Sequence, residues 1–390
     1  MNVPELAADL TARVDAFAGD LIALSHDIHD HPELRFVEHH ASEQLVAALA
    51  AAGFSTKTGI AELPTAFRAE RAFGTGGPTI AIFCEFDALP EIGHACGHNI
   101  IATAGLGAAL AVADRLDELG GNGKLVVLGS PGEEGGGGKV LMAGAGELSD
   151  VDVAVMVHPA GFDAVSRTNL GRVSLEAVFT GRASHAAAAP EQGLNALDAA
   201  TLMLVAIGLL RQQLRTDSRL HANLVEGGDA INVIPERSKV KLFIRSPDVD
   251  YLRGRLFEGL RDCVRGAAIA TGTTYELSEV APAYDPVRTN PVLAELATQA
   301  FAALGRPIDP VTGTSGNAGS TDMGNVSQLV PAIHPYICVT PGLAIHTRDF
   351  AAAARDTDGD RAVRDGAGLL AITVAALFDH PELVDKAKAS

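Results

Sequence analysis

The stretch EFDALPEIGHACGHN, Glu85 to Asn99, holds two histidines, a cysteine and three acidic side chains. Further ligand-type residues follow at Glu133 and Glu134 in GSPGEEGGGGK and at His158 in VMVHP. No second cysteine accompanies Cys96 in a CxxC pair, which disfavours redox chemistry. A thiol, imidazoles and carboxylates in successive groups suit a divalent transition metal such as Zn, Mn or Co. A Cys96 nucleophile activated by His98 or His94 stays open at this stage, since a neighbouring imidazole lowers a thiol pKa. The run GEEGGGGKV is not a phosphate loop, because the first Gly of GxxxxGK[ST] would fall on Glu133 and Val140 follows Lys139. No GxSxG nucleophile elbow is present. Adjacent Glu133 and Glu134 allow a division of labour, one binding metal while the other stays free as a base.

The elements that must position these groups read as α/β. TIAIFCEFD is a nearly continuous apolar run, as expected of a strand buried on both faces, and ends in Glu85 and Asp87. KLVVLGSPGEEGGGG and DVAVMVHP are further strands ending in polar residues, and IATAGLGAALAVADRLDEL is a helix rich in small residues. ASEQLVAALAAAGF has helical spacing that Gly53 ends. Strand, polar loop, helix, strand predicts a mainly parallel sheet flanked by helices, with ligands beyond the carboxyl ends of its strands.

From about Arg172 the rhythm changes. RVSLEAVFTG, the helical NALDAATLMLVAIGLLRQQL, RLHANLV, KVKLFIRS, a helix over Tyr251 to Thr271 and TYELSEVAP follow the ferredoxin-like α+β order. After AYDPVRTNP come a helix, the Gly-rich GTSGNAGSTDMGN, short strands and a long closing helix. The expected organisation is a discontinuous catalytic domain over 1–171 and 286–390, with an inserted domain over 172–285. Two domains also suit 390 residues, since single cores stop growing near ~250–300.

Composition narrows the partners. A net charge of −18 with no basic run argues against nucleic acid and anionic membranes. Apolar segments are interrupted before the ~20 residues that cross a bilayer. The opening MNVPELAADLTARVDAFAGDLIALSHDIHD is acidic throughout and lacks the pattern of a signal peptide, so a cytoplasmic setting is expected. Cys84, Cys263 and Cys338 are scattered and read as small packing groups.

The segments DALPEIGHACGHN, GSPGEEGGGGK, VMVHP, GRASHAAAAPEQGLNALDA, NVIPE, GSTDMGNVS and IHTRDF occur in order along nearly the whole chain. Together they resemble the co-catalytic metallopeptidase superfamily of aminoacylases, glutamate carboxypeptidases and carnosine dipeptidases. The resemblance points to its branch of amidohydrolases for auxin conjugates, hippurate and p-aminobenzoyl-glutamate, which includes beta-alanyl-lysine dipeptidase-like proteins.

That resemblance implies two divalent metal ions per subunit, Zn or Mn with Co as a further candidate, held by Cys96, His98, Glu134, His158 and a late histidine. Cys96 stands in place of a bridging carboxylate and would bridge as a thiolate. Glu133 matches the general base, and Asp87 a carboxylate that orients a ligand imidazole. Glu85 stands where other branches carry a metal histidine. His346 in AIHTRDF matches the last ligand, leaving His334 in AIHPYI as structural. His26, His29, His31, His39 and His40 match a segment without ligands and read as solvated or hydrogen-bonded.

In the inserted domain, His185 matches a histidine that reaches across a homodimer to the other subunit's site, stabilising the oxyanion when the domain closes. Asn232 matches a substrate contact, and Arg245 is a candidate partner for a substrate carboxylate. The expected activity is hydrolysis of N-acyl or N-aminoacyl amino acids by metal-activated water. Alternatives are a dipeptidase for beta-alanyl or basic dipeptides and, from another class, a catalytically silent binding protein.

Overall fold

A computed structural model describes residues 3–308 and 317–390. Residues 313–316, the start of the Gly-rich segment GTSGNAGSTDMGN, lie outside the described residues. The chain divides into two compact units. The first takes Met1–Thr168, Val287–Ala318 and Asp322–Ser390; the second takes Asn169–Pro286 and Gly319–Thr321. Residues 169–171, Pro286 and Gly319–Thr321 thus group with the second unit rather than with 1–171 and 286–390 as expected, and Leu170 N donates to Gly319 O at 3.2 Å.

The first unit is built on a six-stranded sheet in the order 55–58, 67–73, 123–130, 79–85, 153–155, 332–333. Thr79–Glu85 runs parallel to Gly123–Ser130 and Val153–Val155, and the last of these runs parallel to Ala332–Ile333. The two strands on the far side pair antiparallel. Side chains alternate across a strand, so Ile80, Ile82 and Cys84 enter one core while Ala81 and Phe83 enter the opposite one. Burial on both faces explains why this strand reads as a continuous apolar run.

Helices Val3–Asp30, His98–Leu119 and Thr357–Asp379 contribute to the larger core. His98–Leu119 corrects the expectation about apolar segments: by length and composition it could cross a membrane. Most of it is buried inside the unit, against the first and closing helices and the sheet, as befits a core helix.

DVAVMVHP, expected as one strand, is two. Val153–Val155 lies in the main sheet, whereas His158–Ala160 pairs with Tyr336–Cys338. The segment pairing with both strands passes through Pro335, which has no N–H to continue the ladder.

The second unit has a four-stranded antiparallel sheet in the order 274–279, 171–180, 237–246, 219–226. Helices Ala196–Leu210 and Phe257–Thr271 share one core with it, giving the expected strand and helix order. Asn195 caps the first helix by accepting from Leu197 N and Asp198 N. The second helix is less regular than its sequence suggests. Leu252–Leu256 forms a π-helical turn in which Gly254 adopts φ −92°, ψ −105°.

Candidate metal centre

Sharp turns at the strand ends of the first unit deliver the ligand-type side chains. Gly97 has φ 78°, and a Cβ there would lie 2.6 Å from Pro159 Cγ, so glycine alone fits between Cys96 and His98. Gly132 at φ 70° and Gly135 at φ 88° fold the turn carrying Glu133 and Glu134. His346 adopts φ 62°, an uncommon region for a non-glycine residue, while its N–H donates to Ala95 O at 2.7 Å. Such an outlier costs on the order of 1–3 kcal/mol and is frequent at functional sites.

These turns bring together residues from four parts of the sequence. Cys96 Sγ lies 3.5 Å from His158 Nε2 and 3.3 Å from His346 Nε2. His346 Nε2 is 3.2 Å from Glu134 Oε1. Donor atoms fall into overlapping groups within 4.8 Å: Cys96, His98 and His158; Cys96, Glu134 and His346; His98, Glu133 and Glu134. Cys96 is common to the first two groups, which places its sulfur between two sets of ligands.

The supporting contacts are those of a metal site. Asp87 Oδ1 is 2.9 Å from His98 Nδ1, and Asp87 Oδ2 accepts from Glu134 N at 2.9 Å. His158 Nδ1 lies 2.7 Å from Pro159 O. Each ring is therefore oriented through Nδ1, leaving Nε2 to face the cluster. His98 Nε2 is buried without a hydrogen-bond partner. An orphaned, pre-oriented imidazole nitrogen beside a thiol and carboxylates fits a divalent cation.

Electrostatics agree. Burial pushes the Cys96 thiol upward, so its thiolate needs a nearby cation. Burial and the neighbouring His98 charge lower His158 to about 4, keeping its ring neutral. Burial, reinforced by the carboxylates of Glu85, Asp322 and Glu134, raises Glu133 well above the ordinary carboxylate range. Glu134 moves the other way: burial opposes its ionisation, but His346 and His98 outweigh it.

Behind Glu133 lies a buried charge cluster that no local pattern announces. Lys139 Nζ donates to Glu85 and, at 2.9 Å, to Asp322 Oδ1. All three side chains are inaccessible, and Glu85, Glu133 and Asp322 approach within 4.8 Å of one another. The single ammonium offsets part of the carboxylate charge, whose burial would otherwise be costlier. The available signal was the lysine of GGGGK and the aspartate of GSTDMG, but nothing in the sequence links Lys139 to Asp322.

His334 is buried, and its ring packs edge-on against His158 with centroids 5.6 Å apart. Unlike His346, it joins no donor group among the described residues. Burial lowers His94 to about 3, with the His98 and His29 charges adding to the effect. His26 Nε2 contacts Asp360 at 2.7 Å, and His29 Nε2 contacts Ala351 O at 2.8 Å.

The remaining expected residues belong to the second unit. His185 is exposed and bridges to Val233, while Ala186 N donates to Asn232 O at 2.9 Å, so His185 and Asn232 sit on adjoining segments. His185 Nδ1 accepts from Ala187 N at 3.2 Å and Ala188 N at 3.1 Å. That leaves the proton of a neutral ring on Nε2 as an outward donor. Arg245 stands directly opposite Arg172 and Arg219 on neighbouring strands. Burial and the Arg172 charge lower its pKa. Arg172 was not singled out in the sequence.

The turn bearing Glu133 is also pinned from behind. Glu38 Oε1 accepts from Gly132 N at 2.9 Å, and Glu38 Oε2 from the Thr65 hydroxyl at 2.8 Å. Burial, with the Asp87 charge, pushes the Glu38 carboxyl from 4.5 up to about 7. The folded state therefore holds a proton that the unfolded chain releases between these values. This contribution to the stability of metal-free protein is complete below pH 4.5 and is lost as pH rises through about 7, a change of about 3 kcal/mol. Urea unfolding across that window should show a flatter profile for Glu38→Gln; an unchanged profile would remove Glu38 as the cause.

A mainly parallel sheet with a thiol, imidazoles and carboxylates gathered at its strand ends, and a further carboxylate beside them, has the donor set of a metal-dependent hydrolase. Residues 83–371 match Peptidase family M20/M25/M40, and the chain belongs to that family, whose members hydrolyse amide bonds. It is 37% identical over 385 residues to the Xaa-Arg dipeptidase of Mus musculus, covering 96% of this chain and 89% of that protein. It is 35% identical over 305 residues to one of the p-aminobenzoyl-glutamate hydrolase chains of Escherichia coli (strain K12), covering 73% and 62%. The fold is also that of a dinuclear metal-binding M20 peptidase from Bacillus subtilis, with TM-score 0.72, 21% identity and coverage of 94% and 99%.

Proposed function

We propose that this amidohydrolase cleaves N-aminoacyl amino acids, with dipeptides carrying a basic residue on the amine side as the favoured substrates. The carrying observation is the Cys96-centred donor cluster with Glu133 alongside; similarity to Xaa-Arg dipeptidases along nearly the whole chain favours the basic dipeptide. Similarity to p-aminobenzoyl-glutamate hydrolase supports a second reading, an N-acyl amino acid.

In this reading Cys96, His98, Glu134, His158 and His346 would hold two divalent ions, with Zn favoured by the thiolate and Mn as the alternative. Such ions would polarise the amide carbonyl and make water easier to deprotonate. Glu133 takes the proton of the attacking water and returns it to the departing nitrogen. Its raised proton affinity suits that exchange. Asp87 keeps the His98 lone pair on Nε2. The His185 Nε2–H would donate to the oxyanion developing in the other subunit's site, a contribution commonly worth ~3–4 kcal/mol. Asn232 contacts substrate, and Arg245 with Arg172 receives its carboxylate.

The second unit acts in this proposal as a lid and as the homodimer contact. Leu202, Val205 and Leu209 are exposed along one face of its first helix, which supports a self-complementary apolar surface. A cytoplasmic setting, reducing towards Cys96, completes the proposal.

The test is a substrate panel on metal-reconstituted protein: basic dipeptides, beta-alanyl dipeptides, p-aminobenzoyl-glutamate and N-acyl amino acids. The highest kcat/KM is expected on a dipeptide with C-terminal Arg or Lys. Preference for p-aminobenzoyl-glutamate or N-acyl amino acids would replace the first reading with the second. Inactivity on all of them with metal bound would instead support a binding protein.

A further inference from the structure

We propose that Asp27, His31 and His40 form a peripheral site for a divalent transition-metal ion of the Zn²⁺ class, and that the ion staples the loop bracing the Glu133–Glu134 turn. One donor atom of each residue lies within 4.8 Å of the other two. The imidazoles flank a single carboxylate, with His40 Nε2 2.6 Å from Asp27 Oδ2 and His31 Nδ1 3.2 Å from Asp27 Oδ1. Their ring centroids are 4.7 Å apart. His31 Nδ1 is also 2.8 Å from the Asp27 carbonyl oxygen, a contact that places the ring proton on Nδ1 and the lone pair on Nε2.

Two imidazoles and one carboxylate make a three-ligand set that zinc completes with water. Side-chain exposures of 59% for His31, 39% for Asp27 and 33% for His40 leave the set open to ions from solution. On loading, the ion takes the place of the contact between His40 Nε2 and Asp27 Oδ2, with the proton of the neutral His40 ring carried on Nδ1.

The placement of the three residues gives the ion its consequence. Asp27 lies in the last turn of helix Val3–Asp30, His31 directly follows that helix, and His40 lies in the first turn of helix His39–Ala51. An ion held by all three therefore ties together both ends of segment 32–38. That segment is fastened to the catalytic turn at several points. Arg35 donates to Glu134 O at 3.0 Å, and Glu38 receives Gly132 N. The Phe36 ring lies so close to Gly132 and Gly136 that a Cβ at either would meet it at 2.9 and 2.6 Å. Glu33 O accepts from Ala88 N at 2.8 Å, next to Asp87. Restraining the segment restrains the backbone that presents Glu133 and Glu134.

The experiment is equilibrium dialysis of chelator-stripped protein against buffered free Zn²⁺, with elemental analysis and amide hydrogen exchange. Wild type, His31→Asn/His40→Asn and Cys96→Ala are compared. The double variant should hold one zinc fewer than wild type while retaining wild-type turnover at saturating metal. Cys96→Ala should retain the peripheral ion. Zinc should slow exchange over 32–38 in wild type and Cys96→Ala but not in the double variant. Equal zinc content in wild type and the double variant overturns the site; a lower content without the difference in exchange overturns the staple. The count is independent of which amide the enzyme cleaves.

Discussion

Glu133→Gln should retain the metal content of wild type and lose turnover by roughly 10²- to 10⁴-fold, the contribution of a positioned general base. Glutamine keeps the size of the side chain but cannot accept the proton. Glu133 already lies in a buried setting of like charges that raises its proton affinity, so the neutral amide should not disturb the neighbouring ligands. Glu134, whose carboxylate faces His346 at 3.2 Å, remains available to metal. The measurements are kcat/KM and elemental analysis on the same preparation. Near-wild-type kcat would remove Glu133 as the base, whereas metal loss would assign it to the ligand set.

Cys96→Ala should lose activity and the metal of the Cys96 cluster, leaving the peripheral ion, with an affinity drop at the cluster larger than the ~10- to 100-fold typical of removing a supporting contact. The reason is positional. Cys96 is shared by the group containing His98 and His158 and the group containing Glu134 and His346. Deleting the sulfur leaves two incomplete half-sites and nothing to join them. Zinc content after dialysis and residual turnover provide the readout, with circular dichroism confirming the fold. Normal metal content in Cys96→Ala would eliminate the bridging thiolate and restore simpler ligation by the remaining residues.

Much of this architecture was legible because the forces that shape it leave local patterns. The strand Thr79–Glu85 is buried on both faces and therefore uninterruptedly apolar, whereas the strands of the second unit alternate because they bury one face. Gly97 had to be glycine, and it separates Cys96 and His98, two ligand types already adjacent in sequence. Breaks within elements were less visible. Pro335 interrupts the pairing opposite 156–158 from a distant part of the chain, and the π-helical turn at Leu252–Leu256 leaves the apolar spacing of its helix nearly intact.

Local sequence is enough to show the donor types, the strand ends that carry them and a carboxylate pair able to divide binding from proton transfer. Which of them meet depends on how distant elements pack. That packing set His346 against Cys96 across 250 residues of chain and placed His334 behind His158. It also joined Lys139 to Asp322 and gathered Asp27, His31 and His40 around one point. The physical reason is that periodicity and turn chemistry record a residue's immediate surroundings, whereas coordination requires atoms from separate turns to converge within a few ångströms, which packing between elements alone achieves.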